Sequence, residues 1–224
     1  MEQQEQTSNQ SVVKAGALIG QAWETVKANL GLLIGVVIIV MAIGFIPSVA
    51  QNFTDKAGVL FLIQIAGMIL NLWISLGVIK IALNLVKNKP VTFNTLFQQG
   101  KYLLDFIVAT IVYDLIILGG LILLIVPGII WAIKFQFFPY FIVEKNLSPI
   151  EALKASSKIT YGDKWNLLIL GIVLGLLNLA GVLALGVGLL ITYPITILAM
   201  AYAYIHLKSA RFQTSAPSSS RTDS

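Results

Sequence analysis

Six long apolar segments limit what this chain can fold into more than any other feature of its sequence. A helix needs about 20 predominantly apolar residues to cross the hydrocarbon core of a bilayer. Hydrophobic residues make up 57% of the 224 positions and charged residues only 11%, whereas soluble domains carry about 25% charged residues. A soluble fold could not hide this much apolar surface from water. The sequence therefore predicts an all-α, polytopic membrane helical bundle.

The apolar segments predict a single transmembrane domain over residues 12–208. Its six spans are predicted at about 30–49, 57–86, 101–126, 129–143, 165–185 and 189–207. Polar tails flank this domain at residues 1–11 and, rich in serine, at residues 209–224. Neither tail has enough apolar side chains to offset the entropy lost on ordering, so both are predicted to be disordered.

An amphipathic segment precedes each pair of spans, so the bundle is predicted to consist of three hairpins, each introduced by an interfacial helix. These segments begin near Val12, Thr92 and Ser148. The third begins with Ser148-Pro149-Ile150-Glu151, a capping-box pattern with proline in the first helical turn. The threefold recurrence suggests an internal repeat.

Glycine and proline predict where helices turn, bend and approach one another. Pro127-Gly128 predicts a tight turn between the third and fourth spans, and Pro139 predicts a kink in the fourth. The first and fifth spans share a small-residue step, Gly31-x-x-x-Gly35 and Gly171-x-x-x-Gly175. Such steps are expected where neighbouring helices approach closely.

The basic residues predict the orientation of the bundle. Lys56 falls in a loop on one side of the predicted membrane, and Lys80 and Lys134 fall within spans. The other twelve lie on the opposite side: Lys14, Lys27, Lys87, Lys89, Lys101, Lys145, Lys154, Lys158, Lys164, Lys208, Arg211 and Arg221. The positive-inside rule then places both termini and the three amphipathic segments in the cytoplasm. We expect a multi-pass protein of the cytoplasmic membrane.

The same sequence offers no constellation for catalysis. Basic residues sit at the ends of apolar segments and form no soluble patch, so we do not expect nucleic acid as a partner. No cysteine is present, which excludes thiolate nucleophiles and Cys-ligated metals. The only histidine, His206, cannot form a histidine cluster. No phosphate-binding glycine loop, H-E-x-x-H or G-x-S-x-G occurs. We predict no catalytic residue, cofactor or metal, and no enzyme.

Two charged residues inside spans, Asp114 and Lys134, are the candidate functional pair. Folding the hairpin about Pro127 leaves them about 9 Å apart in depth, at 1.5 Å of rise per residue, and a long lysine side chain could partly close that gap. Charged residues in the membrane interior are often functional. One alternative is a structural pair or a lysine that reaches toward the headgroups. The other is a polar path for a proton, an ion or a lipid headgroup.

Several short motifs carry a family resemblance that covers mainly residues 100–208. They are Val126-Pro127-Gly128-Ile129-Ile130, the stretch from Phe138-Pro139-Tyr140 to Glu144, the stretch from Leu147 through Glu151-Ala152-Leu153 to Ser157, Gly162-Asp163-Lys164-Trp165 and Tyr193-Pro194. The sequence resembles prokaryotic integral membrane proteins of uncharacterised function that are related to the membrane domain found with glycerophosphodiester phosphodiesterases. The resemblance implies a six-helix membrane module. In the phosphodiesterases the chemistry belongs to a separate soluble barrel, and no stretch of this sequence is long and polar enough to form one.

These observations leave two main functional hypotheses. The first is a non-enzymatic membrane module that interacts with the lipid bilayer, through anionic headgroups, or with a partner, either a second copy or another membrane protein. The second is a small transporter or permease component with a polar path near Asp114 and Lys134. A lipid-modifying membrane enzyme has the least support, because no acid–base arrangement is visible.

Overall fold

The computed structural model describes residues 13–54 and 56–213, in which the regular secondary structure is helical and no strand occurs. Its α-helices in chain order are α1 (Ala15–Ala28), α2 (Leu30–Ala50), α3 (Ala57–Val86), α4 (Leu103–Leu123), α5 (Ile125–Phe135), α6 (Phe138–Lys145), α7 (Pro149–Ile159), α8 (Lys164–Leu183) and α9 (Leu189–Gln213). Two 3₁₀ turns, Phe93–Leu96 and Gly100–Tyr102, lie between α3 and α4. The predicted N-terminal tail (residues 1–11) and residues 214–224 of the predicted C-terminal tail lie outside the described residues.

Six segments of this described part are long and apolar enough to cross a membrane. They are Leu30–Ala50, Ala57–Val86, Phe93–Leu123, Ile125–Lys145, Lys164–Leu183 and Leu189–Phe212. The all-α class and the number of spans predicted from the sequence are therefore confirmed. The fourth span is built from two helices, α5 and α6, which break just before Pro139 as that proline predicts.

A belt of large apolar side chains covers the outside of these segments. Leu62, Ile122 and Leu183 are 68%, 77% and 76% exposed, and many neighbours on the same helices are similarly uncovered. Monomeric soluble proteins seldom expose apolar patches beyond a few hundred Å². The surface of this bundle therefore matches an apolar surrounding and would be unfavourable in water.

The last helix, α9, occupies the centre and packs against α1, α2, α3, α7 and α8. Its alanines Ala199, Ala201 and Ala203 are fully buried, so neighbouring helices can approach its backbone closely. The predicted first amphipathic helix, α1, lies on α9 through a buried stripe of Leu18, Ala22 and Val26. The Thr25 and Tyr202 hydroxyls join the two helices across 2.7 Å.

The second predicted interfacial helix, beginning at Thr92, is not an α-helix. The chain forms the 3₁₀ turn Phe93–Leu96, closed by a capping box between Thr92 and Thr95. Its backbone lies so close to α3 that a Cβ on Gly77 would be 2.1 Å from the Leu96 carbonyl oxygen. This close docking fixes a compact turn where the sequence pattern alone predicts a short helix.

The third predicted interfacial helix, α7, forms with the capping box expected at its start. Glu151 accepts hydrogen bonds from the Ser148 hydroxyl at 2.7 Å and from the Ser148 N–H at 3.2 Å. The bond from the hydroxyl, followed by that from the backbone, lowers the pKa of the Glu151 carboxyl below its usual value. The opposite face of α7 is buried through Ala152, Leu153, Ser156 and Ile159, so α7 is part of the packed bundle.

The predicted turn at Pro127-Gly128 is displaced by three residues. The chain reverses at Leu124, whose backbone is extended. Pro127 lies in the first turn of α5, where its missing N–H has no helical partner to lose. Gly128 then meets Gly120 of α4, where an added Cβ would be 2.9 Å from the Gly128 Cα.

The close contacts predicted at the small-residue steps occur only in part. An added Cβ would meet nothing within 4 Å at Gly31, Gly171 or Gly175, whereas at Gly35 it would meet the Phe93 ring. In the third hairpin the close approach lies between Gly181 and Gly188, next to the turn. The shared feature of the second and third hairpins is therefore a glycine pair beside the turn.

The final helix continues through Gln213, so residues 209–213, predicted as part of the tail, are helical. Arg211 supplies the reason, because its guanidinium donates to the Tyr161 carbonyl and lies 3.3 Å from the Asp163 carboxylate. These contacts hold the last turn of α9 against the end of α7.

Candidate functional site

The structure does not bring Asp114 and Lys134 together as an ion pair. No contact within 4.0 Å between their charged groups occurs in the described part of the chain. Asp114 is exposed on α4, while its neighbour Tyr113 faces α5 and donates to the Ala132 carbonyl at 3.4 Å. Consecutive helical residues point about 100° apart, so Asp114 is turned away from α5. The Lys134 ammonium lies 5.0 Å from the Phe135 ring centre.

The backbone carbonyl of Lys134 accepts two hydrogen bonds from side chains in and directly after α7. The break before Pro139 deprives backbone groups between α5 and α6 of helical partners. Ser156 lies on the inner face of α7 and Thr160 directly follows the helix, and both are fully buried. Their hydroxyls each donate a hydrogen bond to the Lys134 carbonyl at 3.1 Å. The Ser156 oxygen also accepts the Phe137 N–H at 3.0 Å. The serine of the E-A-L-x-x-S motif therefore stabilises the broken span.

The turn after α7 explains a second motif, Gly162-Asp163. Gly162 has φ +88°, and a Cβ there would be 2.7 Å from the Arg211 guanidinium. Glycine adopts this left-handed conformation at no steric cost. The buried Asp163 carboxylate pairs with Arg211 at 3.3 Å. The E-A-L-x-x-S motif and the Gly162-Asp163 motif, which both belong to the family resemblance, thus hold α7 in the bundle.

The main charged cluster is centred on Glu144, at the end of α6. One of its oxygens pairs with the ammonium of Lys87, which directly follows α3, and, at 2.5 Å, with the Lys208 ammonium of α9. Its other oxygen accepts a hydrogen bond from the buried Tyr204 hydroxyl. The side chain of Glu144 is only 11% exposed, and those of Lys87 and Lys208 are 29% and 20% exposed. This cluster joins three helices at the basic end of the bundle.

Aromatic packing holds the tyrosine of this cluster in place. The Tyr204 ring stacks on Tyr140 with centres 5.1 Å apart and meets the edge of Phe141 at the same distance. Phe137 lies 6.1 Å away on another side. A rigid ring cage therefore fixes the hydroxyl that binds Glu144.

An open groove of about 610 Å³ lies beside the cluster. Its walls come from α6, α7, α9 and the α6–α7 connection: Phe141, Lys145, Leu147, Ala155, Lys208, Ser209 and Phe212. Lys145 is exposed, and no carboxylate of the described residues lies within 4.0 Å of its ammonium. The groove thus combines aromatic and aliphatic walls with two lysines.

A smaller, more apolar groove of about 300 Å³ lies between α5 and α8. It is lined by Val126, Ile129, Ile130, Ile133, Lys164, Trp165 and Leu168. Neither groove is lined by Asp114 or Lys134.

Sequence reasoning missed the Glu144 cluster because its members are far apart in the chain. In the sequence, Lys87 and Lys208 serve only as orientation signals, and Glu144 only ends one of the motifs that carry the family resemblance. The available signal was a single carboxylate directly after an aromatic and aliphatic run, beside Lys145, at a strongly basic end. Such a carboxylate is expected to be paired.

Comparison with known proteins assigns most of the chain to a family. Residues 58–220 match the family described as "Domain of unknown function (DUF7847)". "Uncharacterized protein Mb2590" of Mycobacterium bovis and "Uncharacterized protein Rv2560" of Mycobacterium tuberculosis are both 34% identical over 170 residues. That alignment covers 73% of this chain and 50% of each relative, so the chain spans about half the length of these curated relatives. No solved structure matches significantly. The family match includes the Glu144 cluster and both α7 motifs, and the chain belongs to the DUF7847 family.

Proposed function

We propose that this protein is a non-enzymatic, multi-pass module of the cytoplasmic membrane that interacts with lipid, or with a partner protein, through its basic end. The observation that carries the proposal is the apolar belt around six membrane-length helices. The basic residues supply the orientation, with both termini and the Glu144 cluster inside.

The packing at the basic end supports a role for that face. Helices α1 and α7 pack against α9, and the 3₁₀ turn at Phe93 packs against α3. Together they form a folded cap, while the described residues that connect helices at the opposite end form short links. Most of the protein surface outside the apolar belt, where a ligand or partner could be recognised, is therefore at the capped end. A lipid, a second copy or a membrane partner would therefore be met at the cap.

The relation to the membrane domain found with glycerophosphodiester phosphodiesterases is part of this proposal. Its support is the stretch containing the Pro127-Gly128, Glu151-Ala152-Leu153 and Gly162-Asp163 motifs. The last two motifs hold α7 in place, as described above. A shared way of attaching this helix would explain their recurrence without any shared catalytic activity.

The alternative, a transporter with a polar path near Asp114 and Lys134, is favoured by the broken fourth span, since broken helices often line transport sites. The break supplies few free groups, however, because Ser156 and Thr160 bind the Lys134 carbonyl. Under this alternative a substrate should stabilise the purified protein against heat, and Asp114→Asn should abolish that stabilisation. Unchanged stabilisation in the variant would remove Asp114 from the path.

Extraction of membranes with alkaline carbonate tests the module proposal. The full chain should remain in the membrane pellet, because six apolar helices would have to enter water to leave it. A peripheral membrane protein in the same sample should be released. Release of this chain into the carbonate supernatant would contradict the proposal.

A further inference from the structure

We propose that the groove beside Glu144 binds the headgroup of one anionic phospholipid and the adjoining part of its acyl chains. The inference rests on the proposed membrane function and specifies its ligand. The groove is lined by Phe141, Lys145, Leu147, Lys208 and Phe212, together with the small side chains of Ala155 and Ser209.

The charges in and beside the groove favour an anionic occupant. Lys87, Lys145 and Lys208 carry three positive charges, whereas Glu144 carries one negative charge, which leaves a local balance of +2. The charges of Lys87 and Lys145 both act on Lys208, so the three ammonium groups share one field. Glu144 holds Lys208 in position but cannot neutralise its neighbours. An anionic group would complete this arrangement, and lysine is a common phosphate-binding residue.

The walls of the groove favour a lipid over a soluble phosphate. The half-buried Leu147 and the exposed Phe212 supply apolar surface over the buried Phe141. The Phe212 ring lies under the Lys158 ammonium at 5.6 Å. A volume of about 610 Å³ falls within the 300–1,000 Å³ typical of small-molecule sites, as an order of magnitude. The headgroup of an amphiphile would contact the lysines while its acyl chains contact the apolar walls, whereas a free phosphate would contact only the lysines.

The position of the groove fits the inner leaflet. It lies at the basic ends of α6 and α9, where these apolar segments end. Anionic lipids attract basic residues at the cytoplasmic surface by about fivefold in affinity per lysine. The proposed site thus lies where an anionic headgroup and the top of its acyl chains would meet the protein.

Lipid titration of the purified full chain in dodecyl maltoside, followed by native mass spectrometry, tests the site. Dioleoyl phosphatidylglycerol should bind one molecule about fivefold or more tightly than dioleoyl phosphatidylcholine, which has the same chains but no net charge. Soluble glycerol 3-phosphate should not displace it at equal concentration. Equal affinity for the two lipids would overturn the proposal. Displacement by glycerol 3-phosphate would show a soluble-phosphate site and would also overturn it.

Variants locate the binding. Lys145→Gln should weaken phosphatidylglycerol binding about fivefold, and Phe212→Ala should weaken binding of both lipids. Lys154→Gln is the matched control, because Lys154 is exposed on α7 but does not line the groove. Ser209→Phe fills the groove without removing a charge and should also block binding, which keeps the test decisive if Lys145→Gln does not fold. Equal effects of Lys145→Gln and Lys154→Gln would refute the groove.

The two levels of the proposal fail separately. Retention of the chain in carbonate-washed membranes with no lipid selectivity would reject the groove and leave the membrane module intact. Release by carbonate would reject the module itself.

Discussion

Removing the Ser156 hydroxyl should destabilise the bundle by about 1.5–4 kcal/mol. In Ser156→Ala the Phe137 N–H loses the acceptor that it now contacts at 3.0 Å in a buried site. A buried donor without a partner costs about 1–3 kcal/mol. The Lys134 carbonyl loses one of two donors but keeps the Thr160 hydroxyl at 3.1 Å, which adds about 0.5–1 kcal/mol.

Thermal unfolding in detergent measures this effect. For a chain of this size, each kcal/mol lowers the melting temperature by about 2–4 °C, so Ser156→Ala should lower it by about 3–16 °C. Intrinsic fluorescence from the four tryptophans, which include Trp131 on α5, provides the unfolding signal. Ser157→Ala is the matched control, because its half-buried hydroxyl makes no hydrogen bond with the described residues. Equal melting temperatures for the two variants would refute the role assigned to Ser156.

Two further substitutions test the contacts that hold the basic end together. Glu144→Gln should lower the free energy of unfolding by about 1–3 kcal/mol. This is less than the loss from a fully buried pair, because Lys87 and Lys208 remain 29% and 20% exposed. Urea-assisted thermal unfolding measures the effect, and the exposed control Glu24→Gln should lose almost no stability. Gly162→Ala should cost about 1–2 kcal/mol through its left-handed backbone at φ +88° alone. In the same unfolding assay Gly171→Ala, at an open helical position, should be neutral or slightly stabilising, and an equal loss in both glycine variants would contradict this explanation.

The spans could be predicted from the sequence because their length and apolar content are local properties. The predicted span 57–86 coincides with α3, Ala57–Val86. The capping box at Ser148 was likewise predictable, since its partners lie three residues apart. Pro139 predicted the break in the fourth span because a proline has no N–H in any context.

What the sequence did not predict depends on contacts between distant elements. The 3₁₀ turn at Phe93 replaces a helix because Leu96 docks on Gly77 of α3. Gly171 and Gly175 face open space although their spacing suggests a contact, while Gly120 and Gly128 meet because of where the chain reverses. Asp114 is separated from Lys134 by the rotation of α4, and Glu144 finds its lysines 57 and 64 residues away.

The most direct measurement of the central claim is labelling of single cysteines in spheroplasts with a membrane-impermeant maleimide. The chain contains no cysteine of its own, so each introduced thiol reports one position. Asn52→Cys, between α2 and α3, and Val187→Cys, between α8 and α9, should react in intact spheroplasts. Gln98→Cys, exposed between the two 3₁₀ turns, should react only after the membrane is permeabilised. Labelling of Gln98→Cys in intact spheroplasts, with Asn52→Cys and Val187→Cys protected, would contradict the orientation on which the proposed function depends.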